Sequence, residues 1–286
     1  MSRRILAALL IAAALAACTK PAPTPDTTAT PTTEATTPEA TPSTEPSTPA
    51  TEGTPAPTSA VDTAAITAEL AALGADAPRL GTDFEILTTP QPTWGQGGVE
   101  VVEVFSYMCI HCAHFQPSVD AWTPKLPSGV RFEYVPGVFG GPWDSFARAF
   151  YAAEILGVRE RTHDEIFKAV HIDHVLKTGT LEEIADLYGK YGVDRDKFLA
   201  TMNSFAVTGK LNRAKQFALR TGVTATPTFI VAGKYRVMAT PDRSFEGMLK
   251  TTDFLIAREL AEAAKAAAAP PAATPEPTAP AAPAKP

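Results

Sequence analysis

The chain has 286 residues, of which 45% are hydrophobic and 27 are proline, and its formal net charge is −6. Ten prolines lie in residues 19–60 and seven in 266–286, so roughly 80–262 remains for one globular domain, and a second folded module in the flanks is excluded. A mildly acidic chain without a block of Lys or Arg lacks the electrostatic footprint of a nucleic-acid-binding protein.

The amino terminus has the pattern of an export signal. Two arginines precede an apolar run over residues 5–17, which is shorter than the roughly 20 residues that span a bilayer. The run ends in Leu-Ala-Ala-Cys at Cys18, which resembles the lipobox of bacterial lipoproteins. We predict that residues 1–18 form a lipoprotein-type signal peptide and that Cys18 is lipidated and anchors the chain to a membrane. The alternative is an ordinary signal peptide with a stray cysteine.

Both flanks of the domain are low in bulky apolar residues. Residues 19–60 contain fifteen Thr and ten Pro, and such a segment cannot bury enough apolar surface to offset its conformational entropy. We predict a Pro/Thr-rich disordered linker over 19–79, within which 61–75 has the composition of a short helix. An Ala/Pro-rich disordered tail is predicted over 263–286.

The sequence of the first half of the domain predicts a strand, then a helix, then a second strand. Val99–Tyr107 is rich in β-forming residues and follows a Gly-rich turn, which predicts a buried strand. A helix is expected to begin near Cys109 and to end before Pro124, and Val130–Val135 predicts a second strand.

A helical block of about 144–203 follows. Its predicted helix starts are Asp144, two capping boxes that begin at Thr162 and Thr180, and Asp194. A longer helix is expected from about Phe205 to Thr221, then a hairpin of Thr228–Val231 and Tyr235–Met238, then a closing helix over Ser244–Leu260. If the helical block is left out, the remaining predicted elements make up a small α/β sheet layer.

Cys109 and Cys112 form a Cys-x-x-Cys pair at the predicted start of a helix. Unpaired N–H groups and the positive end of the helix dipole stabilise a thiolate there, and the thiolate is the nucleophile. The second sulfur is placed to attack a mixed disulfide, and His111 between the two can donate a hydrogen bond or positive charge to the Cys109 thiolate.

A Cys-x-x-Cys pair has two other common uses, haem attachment and zinc binding. Attachment of c-type haem requires a histidine directly after the second cysteine, and residue 113 is alanine. Structural zinc requires four ligands, whereas only His111 and His114 are near and no second cluster completes the set. We therefore predict redox chemistry without a metal or other cofactor. His171 and His174 share a helix face but are expected to be an ordinary exposed helix end.

Three motifs together resemble the DsbA family of periplasmic thiol:disulfide oxidoreductases. They are Glu-Val-Phe-Ser-Tyr-Met-Cys-Ile-His-Cys over 103–112, Thr226-Pro227 before an apolar strand, and Gly-Lys-Tyr over 233–235. The resemblance covers about 80–262 and implies an α/β fold, namely a thioredoxin fold with an inserted helical subdomain. The departure is Ile110, where the best-known members have proline, and this leaves the oxidising power open.

The resemblance also implies roles for individual residues. Cys109 is the exposed nucleophile and Cys112 the buried partner. Pro227 is a cis-proline facing the cysteines, and the Thr226 backbone beside it pairs with an extended substrate chain. Glu103 is a buried carboxylate that accepts a proton from Cys112, and the alternative for it is a solvated position on an edge strand.

We expect an oxidase that donates the Cys109–Cys112 disulfide to reduced, unfolded exported proteins in the periplasm. By resemblance, a DsbB-like quinone-linked membrane oxidase then reoxidises it. Two alternatives stay open: a thiol reductase or isomerase of the same fold, and a lipid-tethered, non-catalytic peptide-binding chaperone module.

Overall fold

The computed structural model describes residues 60–268. The predicted signal peptide, the predicted lipidation site Cys18, residues 19–59 of the linker and residues 269–286 of the tail lie outside this range. Within 60–268, no helix is both long enough and apolar enough to cross a membrane.

One five-stranded sheet organises the structure. Its strands are β1 (Phe84–Ile86), β2 (Val99–Phe105), β3 (Val130–Pro136), β4 (Thr228–Val231) and β5 (Tyr235–Met238). Their order across the sheet is β1-β5-β4-β2-β3, with β2 parallel to β3 and antiparallel to β4. Every residue of β2 is buried, Glu100 and Glu103 included, and its four valines and Phe105 are typical of a strand that is covered on both faces.

Two glycines allow close backbone approaches in the sheet. Gly98 has a φ of +65°, and a Cβ there would lie 2.3 Å from the carbonyl oxygen of Gly129. Gly233 in the β4–β5 turn has a φ of +63°, and a Cβ there would lie 2.1 Å from the oxygen of Gln91. Both positions therefore require glycine, because it alone combines a left-handed φ with the absence of a side chain.

Eight helices surround the sheet in the described range. They are α1 (Thr63–Leu73), α2 (Ile110–Trp122), α3 (Pro142–Ile155), α4 (Arg159–His171), α5 (Leu181–Lys190), α6 (Arg195–Met202), α7 (Phe205–Arg220) and α8 (Ser244–Ala268). Helices α3–α6 form the predicted block between β3 and α7. Tyr188 and Phe198 stack within it at 3.9 Å between ring centroids.

Two of the four predicted helix starts in the block are correct. Thr180 accepts a hydrogen bond from the backbone N–H of Glu183, and Asp194 accepts one from Lys197. Helix α3 instead begins at Pro142 after Gly141, and Asp144 accepts from the N–H of Gly140. Proline is favoured at a first helical position because its missing N–H would be unpaired there anyway.

The capping box predicted at Thr162 is wrong. Helix α4 begins three residues earlier, at Arg159, so Thr162 lies inside the first turns of the helix. Its hydroxyl donates to the carbonyl oxygen of Val158 at 2.8 Å instead of capping a free N–H group. A hydroxyl that bonds back to the preceding turn is a common arrangement within helices.

The predicted linker boundary at residue 79 needs correction. Residues 63–73 form α1, with Asp62 as its N-cap, and Ile66 is fully buried. Glu69 of α1 pairs with Arg258 of α8. The folded region therefore includes residues 63–73, which the prediction assigned to the linker. At the other end, α8 continues to Ala268, past the predicted start of the tail at 263.

Two hydrophobic clusters pack around the sheet. The α8-side cluster includes Ile66, Phe84, Phe115, Phe229 and Leu255, and therefore joins α1, α2, the sheet and α8. The insertion-side cluster includes the helical block and α7, and among its members are Phe105, Phe150, Tyr188, Phe217, Cys109 and Cys112. The two cysteines thus lie where the helical insertion meets the sheet.

We predict that Ile66→Ala lowers the free energy of unfolding by about 2–5 kcal/mol, because it leaves a cavity in the α8-side cluster. Leu73→Ala, at a position that is 55% exposed in the same helix, is the matched control and should change it by less than about 0.5 kcal/mol. Urea unfolding measures both. An Ile66→Ala protein as stable as the Leu73→Ala protein would show that α1 is not part of the folded domain.

Candidate functional site

Cys109 is the N-cap residue of α2. Its backbone is extended, with φ −92° and ψ 111°, and its sulfur accepts a hydrogen bond from the N–H of Cys112 at 3.3 Å. The predicted start of the helix near Cys109 is therefore confirmed. A sulfur at this position faces the free N–H groups of the first turn, which favour negative charge.

The loop that precedes β4 forms the other side of the site. The peptide bond between Thr226 and Pro227 is cis, as the family resemblance implied. The thiol of Cys109 donates to the carbonyl oxygen of Thr226 at 3.3 Å. The structure thus brings Thr226 next to Cys109, from which it is separated by more than a hundred residues in the sequence.

The two cysteines are free thiols in contrasting environments. Cys109 is 8% exposed and Cys112 is 1% exposed. Hydrogen bonding from the Cys112 side chain, together with the backbone N–H groups of Cys112 and His111, lowers the pKa of Cys109 to about 5 against the opposing effect of burial. Burial, followed by the neighbouring Cys109 and Glu103, raises the pKa of Cys112 well above its ordinary value. At neutral pH the reduced pair is therefore one thiolate and one thiol.

The side chain of His111 is exposed at the start of α2. The backbone N–H of His111 adds a smaller contribution than Cys112 to the lowering of the Cys109 pKa. The predicted contribution of the imidazole stays a prediction. The neighbouring Ile110, the position that departs from the family pattern, is 40% exposed.

Glu103 is buried beneath the cysteines. It is 1% exposed and lies in β2, between β3 and β4, which rules out the alternative of an edge strand. Burial is the largest cause that raises the pKa of Glu103 to about 8, and the negative charges of Cys109 and Asp120 add to it. At neutral pH this carboxyl therefore keeps its proton while Cys109 is a thiolate.

Sequence reasoning missed a hydrogen-bonded set next to Glu103. Gln116 of α2 donates to Asp120 at 2.9 Å and to the hydroxyl of Tyr134 at 3.0 Å. Tyr134 of β3 is the register partner of Glu103. The signal was present in part, since Cys112, Gln116 and Asp120 follow at intervals of four residues and so share one face of a helix.

A second missed set supports the segment that leads into the cysteines. The hydroxyl of Tyr107 is 2.7 Å from Nδ1 of His163, and burial lowers the pKa of that imidazole to about 3. Nε2 of His171, at the end of α4, is 2.7 Å from the carbonyl oxygen of Tyr107. His174 lies against the carbonyl oxygen of Val170 instead. The helical insertion thus holds the backbone two residues before Cys109.

Comparisons with known proteins identify a family with this kind of cysteine pair. The family model described as the DSBA-like thioredoxin domain matches residues 100–251. The Thiol:disulfide interchange protein DsbA of Pseudomonas aeruginosa is 41% identical over 194 residues, which cover 68% of this chain and 92% of that protein. The protein of the same name from Burkholderia cepacia is 35% identical over 190 residues, which cover 65% of this chain and 88% of that protein.

Solved structures give the same result for the fold. The crystal structure of Pseudomonas aeruginosa DsbA matches with a TM-score of 0.63 and 40% identity, over 66% of this chain and 98% of that chain. The oxidoreductase DsbA from Xylella fastidiosa matches with a TM-score of 0.61 and 40% identity, over 64% of this chain and 98% of that chain. The predicted α/β class, a thioredoxin fold with an inserted helical subdomain, is confirmed.

We predict that the Cys109 thiolate of the reduced protein titrates with a midpoint near pH 5, read from its ultraviolet absorbance. Because the folded-state pKa lies below the unfolded value of about 8.5, the thiolate stabilises the reduced fold fully above that value. This stabilisation is lost as the pH falls toward 5.

The titration has two controls. Cys109→Ser should remove the transition near pH 5, and Cys112→Ala should move it upward because it deletes the largest favourable contact. A wild-type midpoint near that of an ordinary cysteine would contradict the electrostatics described for this site.

Proposed function

The chain belongs to the DSBA-like thioredoxin domain family and is a thiol:disulfide interchange oxidoreductase, and we propose that it works as an oxidase, donating a Cys109–Cys112 disulfide to newly exported proteins in the periplasm. The observation that carries this proposal is the unequal environment of the two sulfurs. Hydrogen-bond donors surround Cys109, whereas Cys112 is buried over a carboxyl. Reduction of the disulfide therefore yields a stabilised thiolate, and this makes disulfide donation favourable.

The reaction proceeds through two exchanges at Cys109. A substrate thiolate attacks the Cys109 sulfur and breaks its bond to Cys112, which leaves and takes up a proton. A second thiolate of the substrate then attacks the substrate sulfur of the mixed disulfide, and Cys109 departs as the stabilised thiolate. The substrate loses two electrons and gains a disulfide, and the enzyme pair gains the same two electrons.

We assign substrate binding to Thr226 and Pro227. The carbonyl oxygen of Thr226 lies 3.3 Å from the Cys109 sulfur, so the backbone of this loop borders the atom that a substrate must reach. An extended substrate chain that pairs with this backbone would present its cysteine to Cys109. Glu103 serves as the proton partner of Cys112; both groups are buried, and the charge of Glu103 is among the causes that raise the pKa of Cys112, which supports this role.

The sequence and the relatives support a cellular context for this reaction. The predicted signal peptide sends the chain out of the cytoplasm, and lipid attached at Cys18 holds it at a membrane. A DsbB-like quinone-linked membrane oxidase returns the Cys109–Cys112 pair to the disulfide. A separate oxidant is needed because the substrate takes the disulfide and leaves the pair reduced. The imidazole of His111, in the first turn of α2, donates a hydrogen bond to the Cys109 thiolate.

The alternatives are less well supported. A reductase would benefit from a stabilised disulfide, whereas the donors around Cys109 stabilise the reduced pair. A non-catalytic chaperone module would not need one lowered and one raised thiol pKa at its binding surface.

We predict that Cys109→Ala abolishes oxidation of a reduced dithiol peptide. With the same peptide in its disulfide form, Cys112→Ala should accumulate mixed disulfides, because its Cys109 thiolate attacks the peptide disulfide, releases one peptide thiolate and has no second cysteine to resolve the product. Ser118→Ala, at an exposed position of α2, is the matched control and should keep wild-type turnover. Mass spectrometry detects the mixed disulfides, and a thiol assay measures turnover. Wild-type turnover in either cysteine variant would contradict the assigned roles.

We expect equilibration with glutathione to give a reduction potential more oxidising than about −220 mV, the upper end of the cytosolic glutathione poise by extraction. The physical reason is the stabilised Cys109 thiolate. A potential near about −270 mV, which is typical of thioredoxin, would contradict the donor role and support the reductase alternative.

A further inference from the structure

The positive charges of the chain are concentrated in one segment. Residues 197–241 contain seven Lys and Arg side chains and no Asp or Glu. Because the whole chain has a net charge of −6, the residues outside this segment together carry −13. Four of the seven cations lie on α7, which has no acidic residue. A charge asymmetry of this kind bears on association with charged partners rather than on the fold.

Helix α7 has one buried face and one exposed face. The buried face includes Leu211, Ala214 and Phe217 and packs in the insertion-side cluster. The opposite side of the helix is open to solvent, and we call it the α7 outer face. Its large or charged residues are Phe205, Arg213, Lys215, Leu219 and Arg220, all of them exposed, and small or polar residues separate them.

The cations of the α7 outer face have no carboxylate partner within residues 60–268. The single ion pair that involves α7 in this range joins Lys210, beside the outer face, to Glu154 of α3 at 2.7 Å. The guanidinium of Arg213 lies 4.0 Å from the ring centre of Trp94 instead. Lys215 and Arg220 are exposed and take part in no ion pair of the described range. Their charges are therefore available to an anionic partner.

The same face exposes two large apolar side chains. Phe205 is 92% exposed, the highest value among the large apolar residues of the described range, and Leu219 is 65% exposed. The two are fourteen positions apart, which corresponds to about 21 Å along the helix axis and nearly four full turns. They therefore point to the same side of α7 and can reach one flat surface together.

We propose that the α7 outer face binds anionic lipid headgroups at the surface of a membrane, with Arg213, Lys215 and Arg220 among the headgroups and Phe205 and Leu219 at the boundary of the acyl chains. Basic side chains beside exposed Phe and Leu are typical of helices that lie in the plane of a membrane interface. An acidic polypeptide would pair with the cations alone, whereas a membrane interface accommodates the cations and both apolar side chains.

The charge on the rest of the chain makes this contact specific in orientation. An anionic membrane repels the acidic surfaces formed by residues outside 197–241, so the basic helix is the favoured side of approach. Screening limits such repulsion to about 8 Å at physiological ionic strength. Acidic groups on the far side of the domain therefore do not oppose binding through α7.

Binding in this orientation affects the position of the cysteine site. Helix α7 ends at Arg220, six residues before Thr226, and six residues span at most about 22 Å. The carbonyl oxygen of Thr226 lies 3.3 Å from the Cys109 sulfur. The α7 outer face would therefore hold the dithiol close to the lipid surface. This role is separate from the lipid predicted at Cys18 and does not depend on the proposed oxidase function.

The experiment measures cosedimentation with lipid vesicles. It uses residues 19–286, which contain the whole described range 60–268 but neither the apolar run nor Cys18, so that the predicted anchor does not contribute. We expect binding to vesicles with about 30% phosphatidylglycerol in phosphatidylcholine to be at least about tenfold stronger than binding to phosphatidylcholine alone. Salt at about 0.5 M should abolish the difference, because it screens the headgroup charge.

One pair of variants tests the charges. Lys215→Gln combined with Arg220→Gln should weaken binding to the anionic vesicles about tenfold or more, since each basic side chain near such a surface contributes about fivefold. Lys168→Gln combined with Lys190→Gln removes the same charge from exposed positions of α4 and α5 and is the matched control, which should bind like wild type.

A second pair tests the apolar contact. Leu219→Ala should weaken binding about threefold or more, because it removes apolar surface that enters the interface. Leu73→Ala, at an exposed position of α1, is the matched control. Every variant should oxidise a soluble dithiol peptide at the wild-type rate, because none of the substituted residues belongs to the cysteine site.

Three results would overturn the proposal. The first is equal binding to both kinds of vesicle, or binding to neither. The second is a Lys215→Gln, Arg220→Gln protein that binds anionic vesicles as well as the matched charge control does. The third is a charge variant that keeps vesicle binding but oxidises an acidic dithiol peptide more slowly, which would assign the face to acidic polypeptides. Selective vesicle binding by a protein that fails to oxidise any peptide would support this proposal and contradict the proposed function.

Discussion

The hydrogen bond from the Cys112 N–H to the Cys109 sulfur, 3.3 Å long, is the interaction on which the site depends. It exists because Cys109 is the N-cap of α2, where the first-turn N–H groups have no partner within the helix. Three residues of separation place the second sulfur one turn inside, where burial keeps it protonated. The unequal chemistry of the two thiols thus follows from one helix terminus.

The rest of the fold keeps that terminus in place. Strand β2 leads directly into the cysteine segment and is buried along its whole length. The insertion contributes His163 and His171, which bind the hydroxyl and the carbonyl oxygen of Tyr107. The loop before β4 contributes Thr226 from the far side of the sequence. Three separate parts of the chain therefore fix the surroundings of a single sulfur atom.

Local patterns predicted much of this structure. The start of α2 at the Cys-x-x-Cys segment, the buried strand β2 and the hairpin around Gly233 each depend on residues that are close in the sequence. The sequence predicts all three correctly. The docking of α1 was not predicted, because Ile66 and Glu69 acquire their partners on α8 only in the folded state. The short edge strand β1 has only three residues, too few for a periodic signal. The Tyr134–Gln116 contact joins a strand to a helix and has no signature in either segment alone.

The division of the interior into two clusters has a mechanical consequence. A pull on the chain at residue 60 enters the domain through α1, whose buried residue Ile66 belongs to the α8-side cluster with Leu255. The cysteines belong to the other cluster, across the central strands. Tension at the amino-terminal entry point would therefore loosen α1 and α8 first. The dithiol would keep its shape until the sheet itself began to separate.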